Sequence, residues 1–310
     1  MKIIKCGGSV LKLLENRKKL YKEIKSYNDK VILIVSAFLD GPYSTDSLSD
    51  LLTNNYDYYM KQELITIGEI ISSIRVTNEL LNEYIDATLI YKENIGIHVK
   101  TSDKMDEITS LDSSFINKEL ENHKVVVVPG FIGINQENKI VSLNRNGSDL
   151  TTILIAKMLN ISEVYLYKDV LGLSSIDPKI SSNYKLYKNT SFSLMHQIVL
   201  HGSNLIQEEA IKQAKENDIS IIITYFNNHS YSTCISKFSN EKVIVFQYDD
   251  ESIYIDGFNN KDVIEQILIN KDIPYNYILP CNSYLKIVSN FNNTSLIANT
   301  LHTNYMKGDF

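Results

Sequence analysis

The chain has 310 residues, 44% of them apolar and 22% charged, with 31 Lys and Arg against 37 Asp and Glu. Such a composition excludes an intrinsically disordered chain, and the length suits about two domains, or one large domain with an appendage. A net charge of −6 without a Lys/Arg block argues against a general binder of nucleic acid or of anionic membranes.

Ile3-Ile4 forms the first apolar run, which Lys5 cuts too short for a secretory signal and which ends at Gly7-Gly8. Leu11 to Tyr27, rich in Lys, Glu and Leu, is expected to be helical. Val31 to Val35 is a continuous aliphatic run, as expected of a strand covered on both faces in a parallel sheet. A long amphipathic helix is expected from about Gln62 to Glu83, with Leu64, Ile67, Ile71, Ile74 and Val76 mainly at steps of three and four. Further buried strands are expected at Ala87–Tyr91, Val125–Val128, Val164–Tyr167 and Ile219–Thr224, and helices at Leu150–Leu159 and Ser203–Glu216. Strands and helices in alternation mean crossover units, hence an α/β fold with a mostly parallel sheet and helices on both faces. Ligands of such sheets sit outside the carboxyl ends of the strands, so the polar, Gly-containing segments there are the places to look for chemistry.

The last 70 or so residues read differently. Ser252–Phe258, Tyr277–Leu279 and Tyr284–Val288 are expected to be strands, and Lys261–Leu268 and Ser295–Tyr305 helices. A boundary near Lys237–Glu241 divides the chain into domains 1–237 and 238–310. No apolar run approaches the ~18 residues of a membrane helix. Cys6, Cys234 and Cys281 are odd in number and far apart, with no CxxC pair and no His at metal-ligand spacing, which argues against a disulfide framework or a zinc site. A reduced, cytoplasmic setting is expected.

Five segments can carry chemistry. Lys5-Cys6-Gly7-Gly8-Ser9 lies between a strand and a helix, where two glycines let backbone N–H groups approach an anion and Lys5 adds a full charge. Its spacing is not that of a Walker A loop, and a plain tight turn with a solvated Lys5 is the other reading. In Asn144-Arg145-Asn146-Gly147-Ser148-Asp149, Ser148 or Asp149 suits a helix N-cap. Alternatively, Arg145 offers a fork for a carboxylate and Asp149 orients a lysine. Lys168 to Lys179 is a long polar loop after a strand, a place for a nucleotide or an ordinary loop. Gly68 in the long helix points to a close approach, beside a Glu69 that is either polar surface or a ligand group. Val128-Pro129-Gly130-Phe131-Ile132-Gly133 is a turn or a substrate wall.

Together and in this order, these segments resemble an aspartokinase of the amino acid kinase family. Lys5 to Val10 resembles KFGGTSV; Val35-Ser36-Ala37 with Thr45-Asp46 resembles VSA…TD; and Ile65 to Ser72 is similar to LSxGExxS. Val128 to Gly133 matches VPGFxG, Leu143 to Thr151 resembles LGRGGSDLT, and Lys168 to Lys179 resembles TDVxGxxxxDPR. The likeness covers roughly residues 1–237. It implies a three-layer αβα amino acid kinase fold that passes the γ-phosphate of Mg-ATP to the β-carboxylate of L-aspartate. The Mg²⁺ would ride on phosphates and water, with no metal-binding residue in the chain. On this likeness Lys5 and Asp149 are catalytic, Lys5 stabilising the transferring group and Asp149 holding Lys5. Ser9, Thr45, Glu69, Arg145 and Ser148 bind the amino acid, with Glu69 on its ammonium and Arg145 on its α-carboxylate. Lys5, Gly7, Gly8, Ser9, Lys168, Asp169, Ser174 and Lys179 bind ATP. The alternatives are an acyl-phosphate-forming kinase for another free amino acid and a non-catalytic regulatory homologue.

Several positions depart from the family pattern. One residue is missing between Gly8 and Ser9, as in the GGS of acetylglutamate and isopentenyl phosphate kinases. Asn144 and Asn146 replace two glycines, Lys168 stands where Thr is usual, Ser174 where Tyr is usual, and Lys179 replaces Arg. Near Gly202, the family's GAKVLH places a lysine at Asn204 and a histidine at Gln207, and Lys168 is a candidate to replace that lost charge. Aspartokinases usually carry two ACT modules, whereas Ser252 to Tyr305 fits one βαββα unit. A reduced ACT-like module that forms a homodimer is therefore expected, acting as a purely structural element rather than an effector site.

Overall fold

The computed structural model describes residues 1–52, 56–101, 106–143 and 147–310, without the side chains of 93, 101 and 106. The chain forms two compact units: Met1–Val170 with Glu216–Ser230, and Leu171–Lys215 with Tyr231–Phe310.

The first unit is built on a parallel sheet. Its strands lie in the order Ser220–Tyr225, Glu163–Lys168, Lys2–Cys6, Val31–Val35, Val125–Pro129, Ala87–Leu89. Every residue of Val31–Val35 and of Val125–Pro129 is buried, which is why their sequences are aliphatic throughout instead of alternating. Around this sheet stand the helices Leu14–Ser26, Tyr58–Asn82, Ser114–Asn122 and Gly147–Met158. Ile4, Cys6, Leu33, Val35 and Val127 join Leu20, Ile24, Val76 and Leu80 in one core. Because side chains alternate along a strand, Lys5 points away from the face that Ile4 and Cys6 bury. Parallel pairing brings Lys5 opposite Ile34 and Leu166, so the carboxyl ends of these strands share one edge.

Several boundaries differ from expectation for physical reasons. The helix expected over Leu11–Tyr27 is two, Gly8–Leu11 and Leu14–Ser26. The break is held by the buried Arg17, whose Nη1 donates to the carbonyls of Leu11 (2.7 Å) and Lys12 (3.3 Å) while its Nε donates to Glu79 Oε2 at 2.8 Å. The long helix starts at Tyr58, ahead of the expected Gln62, because the Asp57 carboxylate accepts from the N–H groups of Tyr59 and Met60. The helix expected over Ser203–Glu216 is confined to Glu208–Glu216. A second, small sheet of Ile97–Thr101, Asp106–Leu111, Ile132–Ile134 and Ile140–Ser142 was not anticipated. It is tied to the long helix where Gln62 Oε1 accepts from the Ser142 N–H at 2.9 Å.

In the second unit, Asn189–Ser191 pairs in parallel with Ser232–Ser236, and Leu173–Ser174 pairs antiparallel with Leu186–Tyr187. The C-terminal part is an antiparallel sheet in the order Val245–Tyr248, Ser252–Asp256, Tyr284–Val288, Tyr277–Pro280. The helices Lys261–Asn270 and Thr294–Lys307 cover it through Ile264, Leu268, Ile297 and Leu301 against Phe246, Ile253, Ile255, Leu285 and Ile287. The expected βαββα order is present, and the unanticipated strand Val245–Tyr248 adds an edge from the N-terminal side. Among the described residues, no helix is long and apolar enough to cross a membrane.

Gly68 shows how closely the long helix is packed. A Cβ there would sit 2.2 Å from the Tyr43 carbonyl oxygen and 3.0 Å from the Ala37 Cβ. In an exposed helix, Gly→Ala stabilises by ~1 kcal/mol. Here the sign is expected to reverse: Gly68→Ala lowers the melting temperature followed by circular dichroism. An unchanged or raised value would show that the loop carrying Tyr43 yields without cost.

Candidate active site

The site begins where the strand Lys2–Cys6 runs into a turn. Gly7 is extended, and its N–H is taken by the Tyr167 carbonyl at 3.1 Å. The first-turn N–H groups of Gly8 and Ser9 are thus the ones that geometry leaves without an intrahelical acceptor. A Cβ on Gly7 would lie 3.9 Å from Lys5 Nζ, so the ammonium sits beside the turn. A Cβ on Gly8 would lie 2.1 Å from the Ala37 carbonyl oxygen, so only glycine lets the Ser36–Asp40 loop rest on the turn. That loop is fixed by Leu39 N–H to Gly8 O (3.2 Å) and Phe38 N–H to Ser72 Oγ (3.1 Å).

The buried Asp149, in the first turn of the helix Gly147–Met158, is the centre of the cluster. Lys168, the last residue of its strand, donates from Nζ to Asp149 Oδ2 at 2.9 Å. Lys5 Nζ stands 2.9 Å from Oδ1 as an ion pair, though Oδ1 has no partner in hydrogen-bond geometry among the described residues. Burial alone would raise the Asp149 carboxyl, but the ammonium groups of Lys168 and Lys5 outweigh it and hold it down at about 2. Burial draws the Lys168 ammonium below its ordinary value; the attraction of Asp149 opposes this and the repulsion of Lys5 adds to it.

A wall stands behind this helix start. A Cβ on Gly130 would come within 2.6 Å of Ser148 Cβ and Oγ. Phe131 holds a left-handed φ of 69°, with its N–H given to Thr151 Oγ1 and its carbonyl accepting from the Leu143 N–H, each at 2.9 Å. A non-glycine residue in that region is strained, and such strain persists only where neighbours over-determine it. The adjoining Asn144, Arg145 and Asn146 lie outside the described residues.

Glu69 is 4% exposed, and its Oε2 has no hydrogen-bond partner among the described residues. Burial pushes its carboxyl up to about 8, against the pull of the Ala37 and Glu69 backbone N–H groups and of the Lys5 ammonium. Thr45, half-buried, opens the short helix Thr45–Ser49, which packs on the long helix. Asp169 is exposed directly after Lys168.

Of the residues singled out in the sequence, Lys5, Asp149 and Lys168 meet directly, Glu69 feels the same ammonium, and Ser148 abuts Gly130. Ser174 and Lys179 belong to the second unit, where Ser174 is half-buried and the exposed Lys179 gives its N–H to Asp177 Oδ1. Sequence reasoning assigned Asp149 to Lys5 alone and missed that it is shared. The missing signal was register: Leu166 pairs with Lys5, and Lys168, two residues on, shares its face. Among the described residues, no group of three or more His, Cys, Asp or Glu side chains is placed to hold a metal ion. Two ammonium groups and a glycine turn at the carboxyl edge of a parallel sheet suit a polyanion and the charge it develops.

The model of the amino acid kinase family matches residues 1–225. Among curated relatives, Aspartokinase 1 of Bacillus subtilis (strain 168) is 26% identical over 253 residues, which are 78% of this chain and 63% of the relative. The aspartate kinase of Pseudomonas putida is 24% identical, over 82% of this chain and 64% of the relative. The chain thus spans a little under two thirds of the length of these relatives. Among solved structures, E. coli aspartokinase III in complex with aspartate and ADP superposes with a TM-score of 0.69 at 15% identity, over 95% of this chain and 80% of that one. An isopentenyl phosphate kinase substrate complex gives 0.56 at 14%, over 76% of this chain and 99% of that one. The matched region runs through the strand Ser220–Tyr225, the last of the first unit's parallel strands in the chain, so it takes in the whole scaffold that carries Lys5, Glu69, Asp149 and Lys168: the chain belongs to the amino acid kinase family.

Proposed function

We propose that this chain catalyses transfer of the γ-phosphate of Mg-ATP to the β-carboxylate of L-aspartate, giving 4-phospho-L-aspartate and ADP. The observation that carries this reading is the ion pair of Lys5 with a buried Asp149 at the carboxyl end of the first strand. Its support is the likeness to proteins named aspartokinases and to one solved with aspartate and ADP. In the reaction, a carboxylate oxygen forms a bond to the γ-phosphorus as the bond from that phosphorus to the β,γ-bridging oxygen breaks. ADP leaves with the electron pair, and no proton need move. The protein's task is to hold two anions in line and offset their repulsion. Lys5 supplies the charge, Asp149 fixes where it stands, and the N–H groups of Gly8 and Ser9 face the phosphates. Mg²⁺ arrives with the nucleotide, held by phosphate and water, and neutralises charge on them.

Glu69 bears on the acceptor. A buried carboxyl with one oxygen that has no hydrogen-bond partner among the described residues invites a cation, and the α-ammonium of a free amino acid satisfies it. By the resemblance to the family, Thr45, Arg145 and Ser148 are assigned to the acceptor, and Asp169, Ser174 and Lys179 to the nucleotide. Residues 1–237 serve as the catalytic domain and 238–310 as a reduced ACT-like module through which two copies pair. The edge strand Tyr277–Pro280, with Tyr277 and Leu279 exposed, is the surface that suits such pairing.

With Mg-ATP and hydroxylamine, aspartate is expected to give hydroxamate, and Lys5→Ala to lower its formation by roughly 10²–10³ while the circular dichroism spectrum is kept. Hydroxamate from another amino acid alone would move the activity to that acceptor, and none from any would end the reading. Glu69 holds a proton in the free protein below about pH 8 and must lose it to meet an ammonium. The KM for aspartate is thus expected to rise as pH falls through that value, approaching tenfold per unit, with kcat less affected. In Glu69→Gln the KM should be high and lose that slope. A slope unchanged by the substitution would sink the assignment. Tyr277→Lys with Leu279→Lys is expected to yield a monomer in sedimentation; a dimer that persists would place the contact elsewhere.

A further inference from the structure

The segment from Ser174 to Lys179, which the kinase reading gives to the nucleotide, folds with the C-terminal antiparallel sheet and its two helices in the second unit. Ile176, 1% exposed, shares one core with Phe246, Ile253, Leu285 and Leu301, and Ile180 and Tyr184 pack against that core. Ser175, fully buried, is fastened at each of its polar atoms. Its N–H donates to the Lys185 carbonyl at 2.9 Å, and its carbonyl accepts from the Phe246 N–H at 2.8 Å. Its Oγ accepts from the Lys185 N–H at 2.9 Å and meets His302 Nε2 at the same distance. That last partner stands 127 residues further along the chain, on the helix Thr294–Lys307.

His302 is as buried as its partner and stands edge-on to Phe246, with ring centres 5.4 Å apart. Burial draws its imidazole below the ordinary value, so the ring is neutral and Nε2 can accept the serine O–H. A buried hydroxyl costs little while its acceptor is in place and much when that acceptor is removed. The near end of the segment is fixed elsewhere, by the Leu173 N–H on Thr233 Oγ1 at 2.9 Å. Ser174 thus lies between two anchors, and the second depends on the last helix of the chain. We infer that His302 is a positioning residue for the nucleotide: through Ser175 it fixes the backbone of Ser174 and of the run to Lys179 on which ATP rests. The inference depends on the kinase reading for the assignment of that segment to ATP. It gives the C-terminal region a part in nucleotide binding that is separate from pairing of two copies.

Calorimetric titration of the full-length chain with Mg-ADP reads nucleotide affinity without turnover, and the hydroxamate assay supplies the KM values for ATP and aspartate. His302→Leu is expected to weaken Mg-ADP and to raise the KM for ATP by about tenfold. The KM for aspartate should stay within about twofold of the parent. His302→Gln, whose amide oxygen can accept the serine proton, is expected to recover most of the loss. Ile264→Val trims the same core without touching Ser175. It should lower the melting temperature and leave Mg-ADP affinity within about twofold of the parent. Should His302→Leu fail to fold, Ser175→Ala removes the same bond from the other side, and the same weakening is expected. Parent-like Mg-ADP affinity in either folded variant, no recovery in His302→Gln, or equal weakening in Ile264→Val overturns the inference and leaves the kinase reading standing. A parent chain that binds Mg-ADP yet forms no hydroxamate ends the kinase reading alone, and one that binds no nucleotide overturns both.

Discussion

A carboxylate taken out of water is tolerated only where positive charge answers it, and Asp149 meets that condition twice over. Its helix begins at the carboxyl edge of the sheet, and the ends of two neighbouring strands deliver Lys5 and Lys168 to its two oxygens. The remaining site geometry follows. The glycine turn lies beside one ammonium, the Ser36–Asp40 loop rests on the turn, and the long helix presses Gly68 on that loop and so delivers Glu69. The chain of contacts is mostly backbone on backbone, which leaves little slack: a displaced loop would carry Glu69 and the turn with it.

Glu69 and Asp149 show how opposite surroundings divide two buried carboxyls. Asp149 is clasped by cations and stays ionised far into acid. Among the described residues, Glu69 has backbone donors and a more distant ammonium, and it keeps its proton near neutrality. One is a fixed negative post, the other a receptor whose charge appears when a cation arrives.

Much of this was legible in the sequence because burial on both faces writes itself as uninterrupted aliphatic runs. Val31–Val35 and Val125–Val128 were recognisable on that ground, and glycines before or within helices marked Gly7, Gly8 and Gly68. What escaped depends on partners far along the chain. The break after Leu11 is set by Arg17, itself anchored on Glu79, 62 residues away. Strands as short as Ile132–Ile134, with a glycine at the centre, exist only because neighbouring strands pair with them. The Gly7 N–H is spent on Tyr167, and the sharing of Asp149 follows from strand register; neither is written in any local pattern.

The first unit leaves the chain at Val170 and takes it up again only at Glu216, so its outermost strand arrives after 45 residues devoted to the other unit. On a ribosome, Lys168 emerges with one flank of its strand still bare, since Ser220–Tyr225 has yet to be made. Pairing across such a sequence gap is slow. Until it happens, an open row of strand amides borders the lysine, and a nascent chain stalled in that interval is the one most exposed to edge-to-edge association.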